Sequence, residues 1–514
     1  MIDSRRQQIL VVCSLIAVHL AVAIPLAYLV NVWADEASSL YTTDSGIVAA
    51  IQGAIENERQ APLYFGILAV WRSLDHSIFF ARLLSILFSI AAIKIFADLA
   101  FTNFLKRPAI LSTCFFALHP FLFWASTEIR GYSLVLLLSV ALILLFEKAF
   151  PAEPDSEKPF DNGTHLAFVA TSTISLYVNY YLGFSLAAFL FVLIFRRQWR
   201  SSFRYIVLML VVGLLSLPLF HVVAAQMAVN TTGFQQDRPL WDGVRFLWHH
   251  VLTFLLPAEI FPDETSSAAA SVRLILFRII VLGTSILAII RWRRISSRTC
   301  SYAVISVVTG LLFLASYLLV GENYVAIRHA AVLFVPLVLM AASGISDLIG
   351  EIDQRPILRQ ALEVTAALVV LSFFTYSIFT LYPDMKKRGD WEQVASFVTS
   401  GEKAGDAILV FTTYDALAFR VYYRGSNPVL PDKNYFDFEL EDKFGSPNSM
   451  SKRTDFAISQ IPEGSARLWL VESEKCMTTD ACVPLENYVL ANYNVLDQKD
   501  FYRERVRLLI RKTK

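Results

Sequence analysis

The stretch Asn31-Val32-Trp33-Ala34-Asp35-Glu36-Ala37-Ser38-Ser39 sets two adjacent carboxylates directly after an apolar run from Ile9 to Val30. That run is about 20 residues, long enough to span a bilayer rather than to be removed as the apolar core of a signal peptide. Paired acids at the edge of a span, followed by a long aromatic-rich loop, suit chemistry at the water boundary better than a path through the bilayer centre. The expectation is a membrane enzyme.

The rest of the composition agrees with a membrane setting. Of 514 residues, 55% are hydrophobic and 17% charged, and the mean hydropathy of +0.51 lies outside the usual range of a water-soluble domain. A net charge of +1 gives no electrostatic case for nucleic acid. Cys13, Cys114 and Cys300 sit in or beside apolar spans and read as inert core residues. Cys476 and Cys482 lie close together in a polar region, where a small disulfide loop is open to them if that region is extracytoplasmic.

Basic residues set the topology. Arg5 and Arg6 precede the first span and no lysine or arginine follows until Arg59, which places the N-terminus in the cytoplasm and Asp35 and Glu36 outside. The apolar piece from Pro62 to Leu74, about 13 residues, is too short to cross and reads as an interfacial helix. Spans follow at Phe79 to Phe101 and Ala109 to Ala125, a fourth ends near Phe150, and a fifth and sixth bracket Tyr177-Val178-Asn179-Tyr180-Tyr181. A long outer loop from Ala224 to Ala270, with Trp241, Trp248, His249, His250, Pro257 and Pro262, reads as an interfacial lid. Further spans flank the outer turn from Gly321 to His329, and the last, from Ala361 to Tyr382, delivers the remainder outside. The fold class is thus a polytopic α-helical membrane protein of about 11 spans with interfacial helices in the first outer loop. Residues 1–382 form the membrane part and 383–514 a small α/β periplasmic domain, with helix signals at Trp391 to Thr399 and Leu417 to Tyr423. Its strand signals are Asp406 to Phe411, Arg467 to Val471 and Val506 to Arg511. No internal repeat, glycine-rich phosphate loop or zinc-ligand spacing occurs.

This topology gathers Asp35 with Glu36, Glu128 with Arg130, Asn179 with its tyrosines, and Arg328 with His329 on one face. Neighbours on a helix diverge by about 100°, so Asp35 and Glu36 are not expected to share one job: one faces the reaction and the other a structural partner. The plainer reading is that both cap an interfacial helix. Glu128, Arg130 and Tyr132 are spaced by two and would align in an extended segment. Arginine at the end of a span is commonly an anchor, yet the outer side disfavours unneeded cations, and an anionic ligand such as phosphate would account for Arg130 and Arg328. His249 and His250 read as loop-surface histidines, and His119, before Pro120, as a packed residue or part of the floor of the site.

Trp33-Ala34-Asp35-Glu36-Ala37, Ala61-Pro62-Leu63-Tyr64-Phe65, Ala81-Arg82-Leu83-Leu84-Ser85, His119-Pro120 and Ser126-Thr127-Glu128-Ile129-Arg130-Gly131-Tyr132 carry a resemblance in their order and spacing. The chain resembles bacterial GT-C glycosyltransferases of the protein O-mannosyltransferase and aminoarabinose-transferase type, with weaker similarity at Arg328-His329 and Asp390-Trp391. The resemblance implies an inverting transferase in the bacterial inner membrane that takes a sugar from a polyprenyl-phosphate donor at the periplasmic face and passes it to a lipid, glycan or protein acceptor. Asp35 would be the base, with Glu36 beside it and Glu128 orienting hydroxyls. Arg130, Arg328 and His329 would hold the donor phosphate, and Tyr132, Asn179 and Tyr180 would make secondary contacts. Related oligosaccharyltransferases carry an Asp-x-Glu metal motif where Ser126 precedes Glu128 here, so a required divalent metal or other cofactor is not favoured. The competing expectations are a lipid-linked-sugar flippase, for which Lys94 and Asp98 are the charged pair within a span, and a non-catalytic assembly partner.

Overall fold

The structure, a computed structural model, describes residues 2–152, 161–229, 240–255, 295–320, 328–352, 386–387, 389–411, 415–431, 449–478 and 482–512, with scattered positions between 360 and 379. In chain order the helices of the first half are α1 (Ile2–Leu29), α2 (Ala34–Thr42), α3 (Ile47–Glu56), α4 (Leu63–Arg72), α5 (Ile78–Asn103), α6 (Lys106–Ala117), α7 (Pro120–Ser126) and α8 (Tyr132–Ala149). There follow α9 (Asn162–Val178), α10 (Leu182–Phe195), α11 (Trp199–Leu215), α12 (Leu217–Val229), α13 (Leu240–Leu255), α14 (Ser297–Val320) and α15 (Ala331–Ile352).

Among the described residues α1, α5, α8 and α14 each carry a stretch long and apolar enough to cross a membrane, and two pairs, α6 with α7 and α11 with α12, do so as helices bent by 48° and 63°. The chain is a polytopic helical membrane protein. The bend between α6 and α7 has a local cause. Pro120 has no N–H to continue the ladder and holds His119 in extended backbone (ψ 131), so α6 stops and α7 restarts with the His119 ring accepting the Phe121 N–H. The expected eighth span, and most of the eleventh, lie outside the described residues.

The loop after α1 is helical. The expected interfacial segment from Pro62 to Leu74 is α4, preceded by α3, and ten residues of helix rise only about 15 Å, half a hydrocarbon core. Part of the segment expected as a loop between Ala224 and Ala270 is also helix. In α13 the inward positions Phe246 and Phe254 stack on Tyr317 (4.4 Å) and meet Phe121 edge-on (4.8 Å), while Trp241 and Trp248 face outward. His249 is in α13, whereas Pro257, Pro262 and the His250 side chain lie outside the described residues. Cys13 departs from the core reading: it is exposed on the outer face of α1, and Cys114 and Cys300 are half-buried.

After residue 385 the pattern changes to α16 (Trp391–Gly401), β1 (Ala407–Phe411), α17 (Ala416–Tyr422), β2 (Val429–Leu430), α18 (Ser449–Ser459), β3 (Arg467–Ser473), α19 (Glu474–Thr478), α20 (Val483–Asn492), β4 (Tyr493–Asp500) and β5 (Glu504–Arg511). The strands form one sheet in the order β2-β1-β3-β5-β4, parallel at β2-β1-β3 and antiparallel at β3-β5-β4. Alternation decides what covers each face. Ile408, Val410, Trp469, Val471, Val506 and Leu508 pack with α16 and α17, while Ala407, Leu409, Phe411, Leu468, Leu470 and Leu509 pack with α18 and α20. Strands β1 and β3, covered on both sides, read as near-continuous apolar runs, whereas edge strand β4 is exposed and charged at Asp497, Lys499 and Asp500. Cys476 and Cys482 are bonded to each other.

One acid in this sheet has a pH signature. Burial pushes Glu472 up to about 7, against the opposing pull of Arg507, whose Nε lies 3.1 Å away. An acid whose folded pKa is raised from 4.5 stabilises the fold fully below that value and loses the contribution as pH climbs toward 7. Replacing Glu472→Gln is therefore expected to flatten the fall in thermal stability across that interval, measured by unfolding of the purified protein at a series of pH values.

Candidate active site

The site is built around the start of α2. Trp33 is its N-cap in extended backbone (φ −111, ψ 174), and Asp35 and Glu36 fill the first turn, where negative charge meets the positive end of the helix dipole. The helical twist then turns the two carboxylates apart.

Glu36 points inward and has no exposure. Arg82, in the second turn of α5, grips it with Nε at 3.1 Å and Nη2 at 2.9 Å, Lys387 Nζ is 2.9 Å away, and the Ile129 N–H donates at 3.0 Å. The remaining Arg82 donors reach the carbonyls of Ala27 (3.0 Å), Val30 (2.6 Å) and Asn31 (3.1 Å), which α1 leaves unpaired as it ends. Burial alone would raise the pKa of Glu36; Arg82 and Lys387 outweigh it and hold the carboxyl below its ordinary value.

Glu128 is equally buried and sits behind Trp33. Its Oε2 accepts the indole N–H at 2.8 Å and its Oε1 lies 2.9 Å from Lys387 Nζ. Burial raises its pKa, with Lys387 opposing and Glu36 adding to the rise. Glu36 and Glu128 thus face Arg82 and Lys387 in a dry cluster whose charges cancel.

Asp35 turns the other way. Its Oδ2 is 3.1 Å from Arg328 Nη1 and 3.7 Å from Arg130 Nη2, and a tenth of its side chain is exposed. Arg130 is fixed from behind by Glu58 at 2.5 Å, which also accepts the hydroxyls of Ser38 (2.6 Å) and Thr42 (3.2 Å). Arg328 is a quarter exposed and its guanidinium lies 5.9 Å from the centre of the Trp33 ring.

The expected residues therefore separate. Asp35, Arg130 and Arg328 are brought together at the mouth, and Tyr132 lies within their electrostatic reach while its ring stacks on Trp124 at 4.8 Å. Glu36 and Glu128, expected beside Asp35 as chemical groups, are instead closed off behind it. The segment from Thr127 to Gly131 bends rather than extends, so spacing by two does not align Glu128 with Arg130. His329 packs against Tyr181 with ring centres 5.7 Å apart, and Asn179 ends α9 with its side-chain oxygen accepting the Tyr181 N–H at 2.9 Å. Tyr180 lies beside Gln226, whose side chain donates to the Ile55 carbonyl at 3.3 Å. His119 is a packed residue, its other ring nitrogen meeting the Phe254 carbonyl at 3.1 Å. Lys94 and Asp98 form a local ion pair one turn apart on α5, both exposed.

Sequence reasoning missed Glu58, Arg82 as a structural cation, and Lys387. Lys386-Lys387-Arg388 is a cationic run in the sequence, but nothing local ties it to Glu36 and Glu128.

No protein-family model matches the sequence, and no curated protein sequence matches it. Solved structures do. ArnT from Cupriavidus metallidurans, in a crystal structure bound to undecaprenyl phosphate, aligns over 97% of both chains at 13% identity with a TM-score of 0.55. The chain has the GT-C fold. The apo form of the same ArnT aligns over the same shares with a TM-score of 0.53. An oligosaccharyltransferase from Archaeoglobus fulgidus, also GT-C, aligns over 91% of this chain and 69% of its own at 11% identity, with a TM-score of 0.47. At 13% identity the likeness to ArnT establishes the fold alone, and the chemistry must come from the residues.

Removing one partner of a buried ion pair strands the other, at a typical cost of about 3–5 kcal/mol. Arg82→Leu is expected to lower stability by about that amount, and Arg82→Leu with Glu36→Leu by clearly less, measured as thermal unfolding in detergent.

Proposed function

We propose that this protein is an inverting glycosyltransferase that moves a sugar from a polyprenyl-phosphate-linked donor to a lipid, glycan or protein acceptor of the cell envelope. In this reading residues 1–382 carry the reaction at the periplasmic face of the inner membrane, and residues 383–514 form a periplasmic domain. The observation that carries the reading is Asp35, a carboxylate at the mouth of the cluster with Arg328 at 3.1 Å and Arg130 at 3.7 Å. The GT-C fold and the undecaprenyl phosphate held by ArnT support a polyprenyl-phosphate donor.

The chemistry needs few parts. Asp35 accepts the proton of the acceptor hydroxyl as that oxygen attacks C1 of the sugar. The bond from C1 to the phosphate oxygen breaks, its electron pair goes to the phosphate, and the departing polyprenyl phosphate gains a negative charge that Arg130 and Arg328 stabilise. Inversion puts base and leaving group on opposite faces of C1, so Asp35 and Arg328 separate when donor enters. Arg328, a quarter exposed, moves with the phosphate, and the Asp35 side chain turns away from Arg130, which Glu58 pins at 2.5 Å. Glu36 and Glu128 act as positioning groups. No divalent metal is part of the proposal, because these acids already face Arg82 and Lys387 and a metal would have to displace a buried cation.

The flippase alternative loses its main support, since Lys94 and Asp98 satisfy each other on an exposed helix face. An assembly partner would tolerate loss of Asp35. Membranes containing the protein should transfer radiolabelled sugar from one of a panel of polyprenyl-phosphate sugars. Asp35→Asn should lower the rate by about 100-fold or more, the scale of a lost general base, and a chelator should leave it unchanged. Wild-type transfer by Asp35→Asn overturns the mechanism.

A further inference from the structure

Lys387 stands apart from the other site residues because it arrives from the segment that leads into the C-terminal sheet. Its side chain is 4% exposed. Its ammonium spends its donors on Glu36 (2.9 Å), Glu128 (2.9 Å) and the Thr127 carbonyl (3.1 Å). The backbone that presents it is held at the second and third residues on. The Asp390 N–H donates to Glu504 Oε2 at 2.7 Å at the start of β5, and Asn31 Nδ2 reaches the Gly389 carbonyl at 3.4 Å and Asp390 Oδ1 at 3.3 Å. Gly389 has a φ of +151, a backbone conformation that residues with a side chain rarely adopt, where the linker passes beside Glu504 and Trp391. A second tie joins the sheet region to the site loop: the Tyr422 hydroxyl on α17 accepts the Val32 N–H at 2.6 Å.

From Lys387 an unbroken series of contacts leads to the mouth. Glu128 Oε2 accepts Trp33 Nε1 at 2.8 Å, the Trp33 ring lies under the Arg328 guanidinium at 5.9 Å, and Arg328 Nη1 is 3.1 Å from Asp35. We propose that Lys387 is a positioning residue that couples docking of the C-terminal sheet to the geometry of the Asp35 site through Glu128, Trp33 and Arg328. The transfer arm of this inference rests on the function proposed above; the spectroscopic arm does not. Without Lys387 the remaining buried cation, Arg82, serves Glu36, and Glu128 loses its ammonium partner. The Glu128 carboxyl is then free to turn, its grip on the indole N–H weakens, and the ring that shelves Arg328 is released.

The test uses the full-length protein in lipid nanodiscs with 5-fluorotryptophan, the Trp33 fluorine resonance being assigned with Trp33→Phe. The variants are Lys387→Met and Lys387→Gln, the latter keeping an N–H donor in the slot should the methionine variant fail to accumulate. The expected result is a shifted or broadened Trp33 resonance and about tenfold slower transfer, with Trp33→Phe adding little to the loss in the combined variant, as members of one chain of contacts do. An unmoved Trp33 resonance overturns the proposal, as do losses from Lys387→Met and Trp33→Phe that simply multiply. If the wild type uses no donor, the functional reading fails, and the resonance alone decides the coupling.

Discussion

A guanidinium and a carboxylate with no access to water, Arg82 and Glu36, hold the architecture around the site together. Isolated burial of either charge would be prohibitive, and the pair persists because Arg82 spends its remaining donors on three carbonyls at the end of α1 while Glu36 collects an ammonium and a backbone N–H. One ion pair thereby fixes where the first span stops, how α2 leaves it, and how α5 packs beside both. Asp35 inherits its position from this arrangement, since the residue after it is immobile and helical geometry decides the rest.

Behind that pair the structure separates two roles that a bare count of acids merges. Glu36 and Glu128 are balanced by Arg82 and Lys387 inside, and Asp35 meets Arg130 and Arg328 at the surface of the same cluster. The inner set is closed to water, which suits a scaffold; the outer set is partly exposed and presents two guanidinium groups, which suits an anionic ligand. Glu58 completes the division by pinning Arg130 and leaving Arg328 as the more mobile of the two guanidinium groups.

Much of this was legible in the sequence, and the reasons are particular. The spans at α1 and α5 announced themselves by length and hydropathy, and the strands β1, β3 and β5 by apolar runs of about the right length between polar turns. That Asp35 and Glu36 would diverge followed from the pitch of a helix. The bend at Thr127 to Gly131 was not legible, because spacing by two predicts alignment only in extended backbone. Nor was α13, whose aromatic residues form no single stripe: Trp241 and Trp248 face outward while Phe246 and Phe254 pack inward. Lys387 escaped for a different reason: no local pattern reveals that a lysine beyond the last span folds back against acids near the first.

That fold-back sets the order in which the molecule can be completed. Lys387 meets the Thr127 carbonyl across 260 positions, and Tyr422 meets Val32 across 390. Glu36, Arg82 and Glu128 all come from the first part of the chain, with one acid more than it has cations to match, and the second cation is Lys387. The cluster becomes neutral only when the segment after the last span emerges and docks. Completion of the site thus waits on the segment after the last span, and a chain that stops before it leaves Glu128 without its ammonium partner.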